Sequence, residues 1–496
     1  MQCLNSLRKN GYIHYIIALL IGISIAIFLE PTATEYTEGL TDLGVRLIAI
    51  VVPALYLWLV ANTHWTSLLF LGALAATQVM GNNPSNVWAG SLGHFSVIMV
   101  ISFVLLDYAL GETGVTDRIV NWFITRKFTR GRPYAFLSMF FFANIFVGIF
   151  TQHLALAVMY IGLTVKICEK IGVEKGDKLY TSLMLGTLWG SNILSVASPI
   201  AKNVPLIMMG LIYSATAGAV RISFVHWLAA GIPFALVMFG VLMLCVRIMK
   251  PDVTPLKNLD IGNFAEELPP LSQRGKITIV AILVLVVFIL APDAIALFAP
   301  AGSVLYNIAQ YFIEITVVVP AIAVVAALCL IRAEGKPVLD FNEAAKKIPF
   351  PLLIFMASIV VVPIGAPEVG IAPWIRSGLE PLVAGLSPIW ILVILVFTIM
   401  ILTNVASTIV IMTLIFNVGF ALLWGGPMNI AAFAIIIAFA VSSMACLTPA
   451  SSLMTSLYFG PGHITVRNSA KGNIVFILMS FLIVLIFIPI VTAIIG

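Results

Sequence analysis

Apolar runs separated by short polar clusters fall near residues 12–29, 43–62, 66–80, 95–111, 134–150, 153–165, 180–197, 203–213, 225–248, 277–299, 303–331, 348–365, 385–402, 404–424, 428–447 and 473–495. A helix needs about 20 apolar residues to cross a hydrocarbon core of ~30 Å. Several runs reach that length and several do not. Short apolar runs with polar interruptions predict re-entrant hairpins and broken helices, whose backbone is tolerated at membrane depth only where protein or a water-filled cavity covers it. The pattern therefore predicts an all-α polytopic membrane protein with about 11 spanning helices. A first hairpin is expected over 134–165 and a second over 385–424. Arg8 and Lys9 ahead of the 12–29 run also suit a signal peptide with a cleavage point near Pro31. The length of the run and the apolar body that follows at once favour a first transmembrane helix.

Composition agrees with this pattern. The chain is 61% hydrophobic and 9% charged, against about 25% charged for soluble domains. So few charges cannot clothe a water-soluble surface. The net charge of +5 is small and clustered between apolar runs, which argues against nucleic acid as a partner. Cys3, Cys168, Cys245, Cys329 and Cys446 show neither disulfide nor metal-ligand spacing.

Let the first hairpin enter from the cytoplasm and the second from the opposite side. All but four of the 26 Lys and Arg then lie on the cytoplasmic side. The exceptions are Arg46, Arg221 and Arg376 outside and Lys202 within the membrane. The positive-inside rule then gives a cytoplasmic N-terminus and an external C-terminus in a plasma membrane. The halves also echo each other. Glu112-Thr-Gly-Val answers Glu368-Val-Gly-Ile 256 positions on, Thr151-Gln152-His153 answers Thr403-Asn404-Val405 252 on, and Ser198-Pro199 answers Thr448-Pro449 250 on. With hairpins opening to opposite sides, the repeat is inverted, a signature of secondary transporters with discontinuous helices near the midplane.

Four polar clusters sit in apolar surroundings: Thr151-Gln152-His153; Ser191-Asn192 with Ser195, Ser198-Pro199 and Lys202-Asn203; Thr403-Asn404-Val405-Ala406-Ser407-Thr408; and Ser442-Ser443 with Thr448-Pro449-Ala450-Ser451-Ser452. Unpaired polar groups in hydrocarbon cost several kcal/mol each, so such clusters are expected to meet one another or a ligand. Helix N-termini at hairpin tips favour anions, and carbonyls freed at proline breaks suit a small cation. Any single Ser or Thr here also fits simple helix packing. Lys202 is a buried cation and a functional candidate by default. His153, Asp107 and Glu314 are further ionisable candidates within apolar runs.

At these clusters the sequence resembles the divalent anion/sodium symporter family from about residue 85 onward. Thr403-Asn404-Val405 with Ala406-Ser407 is similar to that family's second hairpin tip. Thr448-Pro449-Ala450-Ser451 resembles its second break, and Tyr458-Phe459-Gly460 the segment after it. Glu112-Thr-Gly-Val-Thr-Asp117-Arg118, Lys346-Lys347-Ile-Pro-Phe350 and Val369-Gly370-Ile371-Ala-Pro-Trp374 resemble the pieces before each hairpin. The first half departs: Thr151-Gln152-His153 stands where the family has Ser-Asn-Thr, and Lys202 falls in its break. The resemblance implies a carrier of di- or tricarboxylates such as succinate, malate, 2-oxoglutarate or citrate, with sulfate a weaker candidate. It implies a homodimer built on a scaffold, with a transport domain moving as an elevator. By this resemblance the substrate would meet Thr151, Gln152, His153, Ser198, Pro199, Lys202, Thr403, Asn404, Val405, Thr448 and Pro449. A sodium ion, the one ionic cofactor implied, would sit at Thr403, Ser407, Ala450 and Ser451.

A dianion in a low-dielectric site needs about two compensating charges. Sodium can leave with the substrate, whereas a tethered Lys202 cannot, so fixed charge in the first half predicts obligate anion exchange. Sodium- or proton-coupled symport is the alternative, and a channel a further one. HExxH, GxSxG and GxGD are missing from the sequence, so it offers no enzymatic motif. Residues 1–110 and 214–340 are expected to form scaffold, and 111–213 and 341–496 to carry the hairpins and broken helices of the transport domain, the last with the C-terminal helix.

Overall fold

The computed structural model describes residues 11–32, 39–61, 63–151, 153–199, 203–258, 270–315 and 317–495. Residues 1–10, 33–38 and 259–269, which carry part of the charge pattern and most of the polar linker, lie outside them. After a first helix, Gly11–Phe28, one series of helices is traversed twice. The first pass is Asp42–Val60, Trp65–Ala76 with Ser85–Ser91, Phe95–Glu112, Val115–Ile124, Pro133–Gly148, His153–Lys170, Lys178–Ala197, Asn203–Ala215 and Phe224–Met249. The second is Gln273–Phe298, Val304–Glu314 with Val318–Leu330, Phe350–Val369, Ile371–Val383, Pro388–Leu402, Thr408–Leu423, Ile430–Met444, Leu453–Phe459 and Val466–Ile495, with the short helix Phe341–Ala345 inserted.

Local chemistry sets these boundaries. Pro133 and Pro388 open the incoming arm of each hairpin, at positions where a missing N–H breaks no helical bond. Ser223, Ser272 and Ser303 each cap a helix by accepting from the N–H three residues on. Gly114 and Gly370, with φ of 65° and 75°, make the same left-handed corner in the two passes, turning Phe95–Glu112 into Val115–Ile124 and Phe350–Val369 into Ile371–Val383. At Gly370 a Cβ would also lie 1.9 Å from the Gly39 carbonyl oxygen.

The broken helices form the centre. Lys178–Ala197 is buried from Leu179 to Ala197, and every residue of Ile430–Met444 is buried, as expected of helices apolar all round. Both arms of each hairpin pack on the first leg of the broken helix that follows. Phe224–Met249 and Val466–Ile495 close the core, where Trp189 stacks on Phe476 with ring centroids 4.8 Å apart.

Among the described residues, five helices are long and apolar enough to span on their own: Asp42–Val60, Phe95–Glu112, Phe224–Met249, Gln273–Ala296 and Val466–Ile495. Two bent pairs raise the number to at most seven, with bends of 78° between Val304–Glu314 and Val318–Leu330 and 98° between Ile371–Val383 and Pro388–Leu402. The 13 residues of Asn203–Ala215 and the 15 of Ile430–Met444 rise only about 20–22 Å, so these legs end inside a ~30 Å core.

Candidate functional site

The second hairpin tip, residues 403–407, lies against the second break, residues 445–452, and the two are stitched together atom by atom. Ile430–Met444 stops at Ala445, which leaves backbone groups without helical partners. Asn404 supplies them: its Oδ1 accepts from the Cys446 and Leu447 N–H groups at 3.2 and 2.9 Å, while its Nδ2 donates to the Met400 carbonyl at 2.9 Å. The Thr448 hydroxyl donates to the Asn404 carbonyl at 2.6 Å. Thr408 donates its N–H and its hydroxyl to the Ser451 carbonyl at 3.1 and 2.5 Å. Ser451 donates its hydroxyl to the Thr448 carbonyl at 2.6 Å, and Ser452 with Thr455 closes a capping box that starts Leu453–Phe459.

Neighbouring side chains occupy several of the freed backbone groups, one of the two outcomes expected of the polar clusters. The Ala445 carbonyl accepts from Asn192 Nδ2 at 3.0 Å, and the Cys446 carbonyl from Asn473 Nδ2 at 2.8 Å. Asn473 Oδ1 in turn accepts from the Trp189 indole N–H at 2.9 Å. At the first break the Val196 carbonyl accepts from the Trp227 indole N–H at 2.9 Å. The cause is the depth of the breaks, because burial without partners costs about 1–3 kcal/mol per group. What stays open is a face carrying Val405, 65% exposed, with exposed Pro449 and Ala450 beside half-buried Ser407 and Thr448. Behind that face the oxygens of Thr403, Thr408, Thr448 and Ser451 are all uncharged. Among the described residues no group of three or more His, Cys, Asp or Glu could hold a metal. Neutral hydroxyl and carbonyl oxygens of this kind suit a monovalent cation or the carboxylate of an anion, and supply no net charge of their own.

The first half is only partly described. Thr151 and His153 are buried at the start of the outgoing arm, with the Thr151 hydroxyl donating to the Val147 carbonyl at 3.2 Å. Ser198 and Pro199 are buried at the end of Lys178–Ala197, and Asn203 opens the next leg. Gln152 and Lys202 lie outside the described residues. Deep between the halves, Asn192 Oδ1 and Ser442 Oγ are buried without a hydrogen-bond partner among the described residues. Asp107 is half-buried in a spanning helix, whereas Glu314 is exposed at the end of Val304–Glu314, away from apolar cover.

Sequence reasoning missed Trp189, Asn473 and Trp227, whose partners lie far off in the chain. It also missed Arg376, whose guanidinium donates to the Ala421 and Trp424 carbonyls at 2.9 and 2.5 Å and so caps the carboxyl end of Thr408–Leu423. Its only signal was a single Arg in an otherwise poorly charged segment.

A polytopic helical protein with a buried neutral polar site at two interrupted helices is a membrane transporter, not an enzyme. It belongs to the citrate transporter family (CitMHS), whose profile matches residues 47–438. The chain is similar to the sodium-dependent dicarboxylate transporter SdcS of Staphylococcus saprophyticus, 24% identical over 462 residues that cover 88% of this chain and 83% of the relative. It is also 24% identical over 255 residues to a protein of Cupriavidus necator described as a membrane protein, covering 47% of each. Among solved structures, the Alcanivorax borkumensis YdaH transporter shares the fold at a TM-score of 0.57 and 12% identity, over 99% of this chain and 98% of that one. Family membership implies a small carboxylate as cargo.

Proposed function

We propose that this chain is a secondary active carrier of a di- or tricarboxylate such as succinate, malate, 2-oxoglutarate or citrate, coupled to a monovalent cation held at the second hairpin tip. Thr403, Ser407, Ala450 and Ser451 would surround the cation, and Thr448, Pro449 and Val405 would border the carboxylate. The observation that carries this reading is the stitching of tip 403–407 to break 445–452, which gathers uncharged oxygens beside an exposed face. A cation there offsets the charge of a bound dianion and departs with it. The sodium-dependent name of the Staphylococcus relative supports sodium as that cation. Residues 111–213 and 341–496 would move as an elevator against a scaffold of 1–110 and 214–340 in a homodimer. The repeated helix order supports two halves of opposite orientation, with a cytoplasmic N-terminus and an external C-terminus.

Lys202 and His153 in the sequence favour a second reading, obligate exchange of one anion for another, with fixed charge in place of the first cation. Uptake of radiolabelled succinate and citrate into proteoliposomes separates the two. Saturable uptake into empty vesicles, stimulated by inward sodium over choline, is the expected result. Uptake confined to vesicles preloaded with carboxylate and indifferent to sodium would establish exchange. No saturable carboxylate uptake under either condition would overturn the proposal.

A further inference from the structure

A cavity away from the hairpins carries a second binding site. It is enclosed by Phe95 and Met99, by Met209 and Tyr213, by residues 221–224, and by Phe288, Ile289, Pro292 and Asp293, with Phe312, Ile313 and Val317 at the bend after Val304–Glu314. Its polarity is layered. Arg221, Ser223, Tyr213 and Asp293 lie where Phe224–Met249 begins and where Asn203–Ala215 and Gln273–Phe298 approach their ends. One turn further in stand Met209 and Ile289, with Met99 beside them. Asn203–Ala215 and Gln273–Phe298 thus both turn from polar to apolar going inward, which places the mouth at the membrane boundary. Phe288, 43% exposed, leaves the side of the cavity open to lipid.

The mouth holds one charge of each sign. The Arg221 guanidinium lies 5.2 Å from the Tyr213 ring centroid and, among the described residues, makes no ion pair. Asp293 lines the same mouth beside Ser223, with Val225 and His226 close by. An anionic headgroup would meet Arg221 but oppose Asp293, whereas a zwitterionic headgroup satisfies both. A primary ammonium donates hydrogen bonds to a carboxylate, and a quaternary one does not.

We propose that this cavity binds phosphatidylethanolamine, its phosphate on Arg221, its ammonium on Asp293 and one acyl chain between Phe288, Phe312 and Met99. Native mass spectrometry of the purified full chain, offered equal amounts of phosphatidylethanolamine, phosphatidylcholine and phosphatidylglycerol, tests it. Phosphatidylethanolamine adducts are expected to exceed either competitor by roughly tenfold, the worth of one charge-assisted hydrogen bond. Arg221→Gln should remove the preference, Asp293→Asn should equalise the ethanolamine and choline lipids, and Met99→Trp should block the chain while leaving the mouth intact. Wild-type adducts indifferent to headgroup, a preference for phosphatidylglycerol, or full retention of phosphatidylethanolamine in both Arg221→Gln and Met99→Trp would overturn the proposal.

Discussion

Asn404 separates a staple from a ligand. Alanine there removes the acceptor of the half-buried Leu447 N–H and one of two acceptors of the buried Cys446 N–H, which also reaches the Met444 carbonyl at 3.1 Å. An orphaned buried donor costs about 1–3 kcal/mol. Leu447 loses its acceptor outright, whereas Cys446 keeps the Met444 carbonyl and loses less. The docked tip therefore loses about 1–3 kcal/mol, or roughly 5- to 150-fold in its closed-to-open ratio. Hydrogen exchange resolved at residues 445–448 reads this directly, because local opening governs amide protection. Asn404→Ala should speed exchange at Leu447 by at least about fivefold, more than at Cys446, and abolish uptake. Asn404→Asp keeps both acceptors, loses the donor to Met400 and adds a negative charge at the tip. Its exchange should stay within a fewfold of wild type while anion uptake collapses through like-charge repulsion. Unchanged exchange in Asn404→Ala would refute the staple, and normal uptake by Asn404→Asp would refute a carboxylate at the tip.

Asn473→Leu strips partners from the Trp189 indole and the Cys446 carbonyl together, so thermal unfolding should show a loss of about 2–5 kcal/mol, larger than for a lipid-facing control such as Leu478→Ala. Thr408→Val deletes the hydroxyl bond to the Ser451 carbonyl and keeps the N–H bond; it should cost about 1 kcal/mol and raise the sodium concentration for half-maximal uptake severalfold without preventing folding. His463, in the loop before the last helix, accepts from or donates to the Tyr180 hydroxyl at 2.9 Å, and partial burial with Lys175 nearby pushes its pKa down. The fold thus prefers the neutral ring, so the contact contributes above the ordinary histidine range and is lost as pH falls through it. The melting-temperature advantage of wild type over His463→Gln should shrink between about pH 7.5 and 5.

The hairpin tips and breaks were legible because polar residues inside apolar runs stand out against a cost of several kcal/mol each. Thr403–Thr408 and Thr448–Ser452 lie where the sequence placed them, and the Gly114 and Gly370 corners follow the repeat. Two things were hidden. Hydropathy rises equally over a full span and over a 15-residue leg such as Ile430–Met444, so it does not by itself mark where a leg ends. Long-range pairing was hidden too: nothing local ties Asn404 to the Cys446 and Leu447 N–H groups, and Trp189 and Asn473, 284 positions apart, share no local pattern that could pair them.

A structure of the protein with succinate and sodium bound tests the central claim most directly. The account predicts carboxylate density within hydrogen-bond reach of the 403–407 tip and of Thr448 to Ala450, with a cation against the oxygens of Thr403 and Ser451. Carboxylate held elsewhere, with the Asn404 bonds to Cys446 and Leu447 and the open face beside them unoccupied, would contradict it.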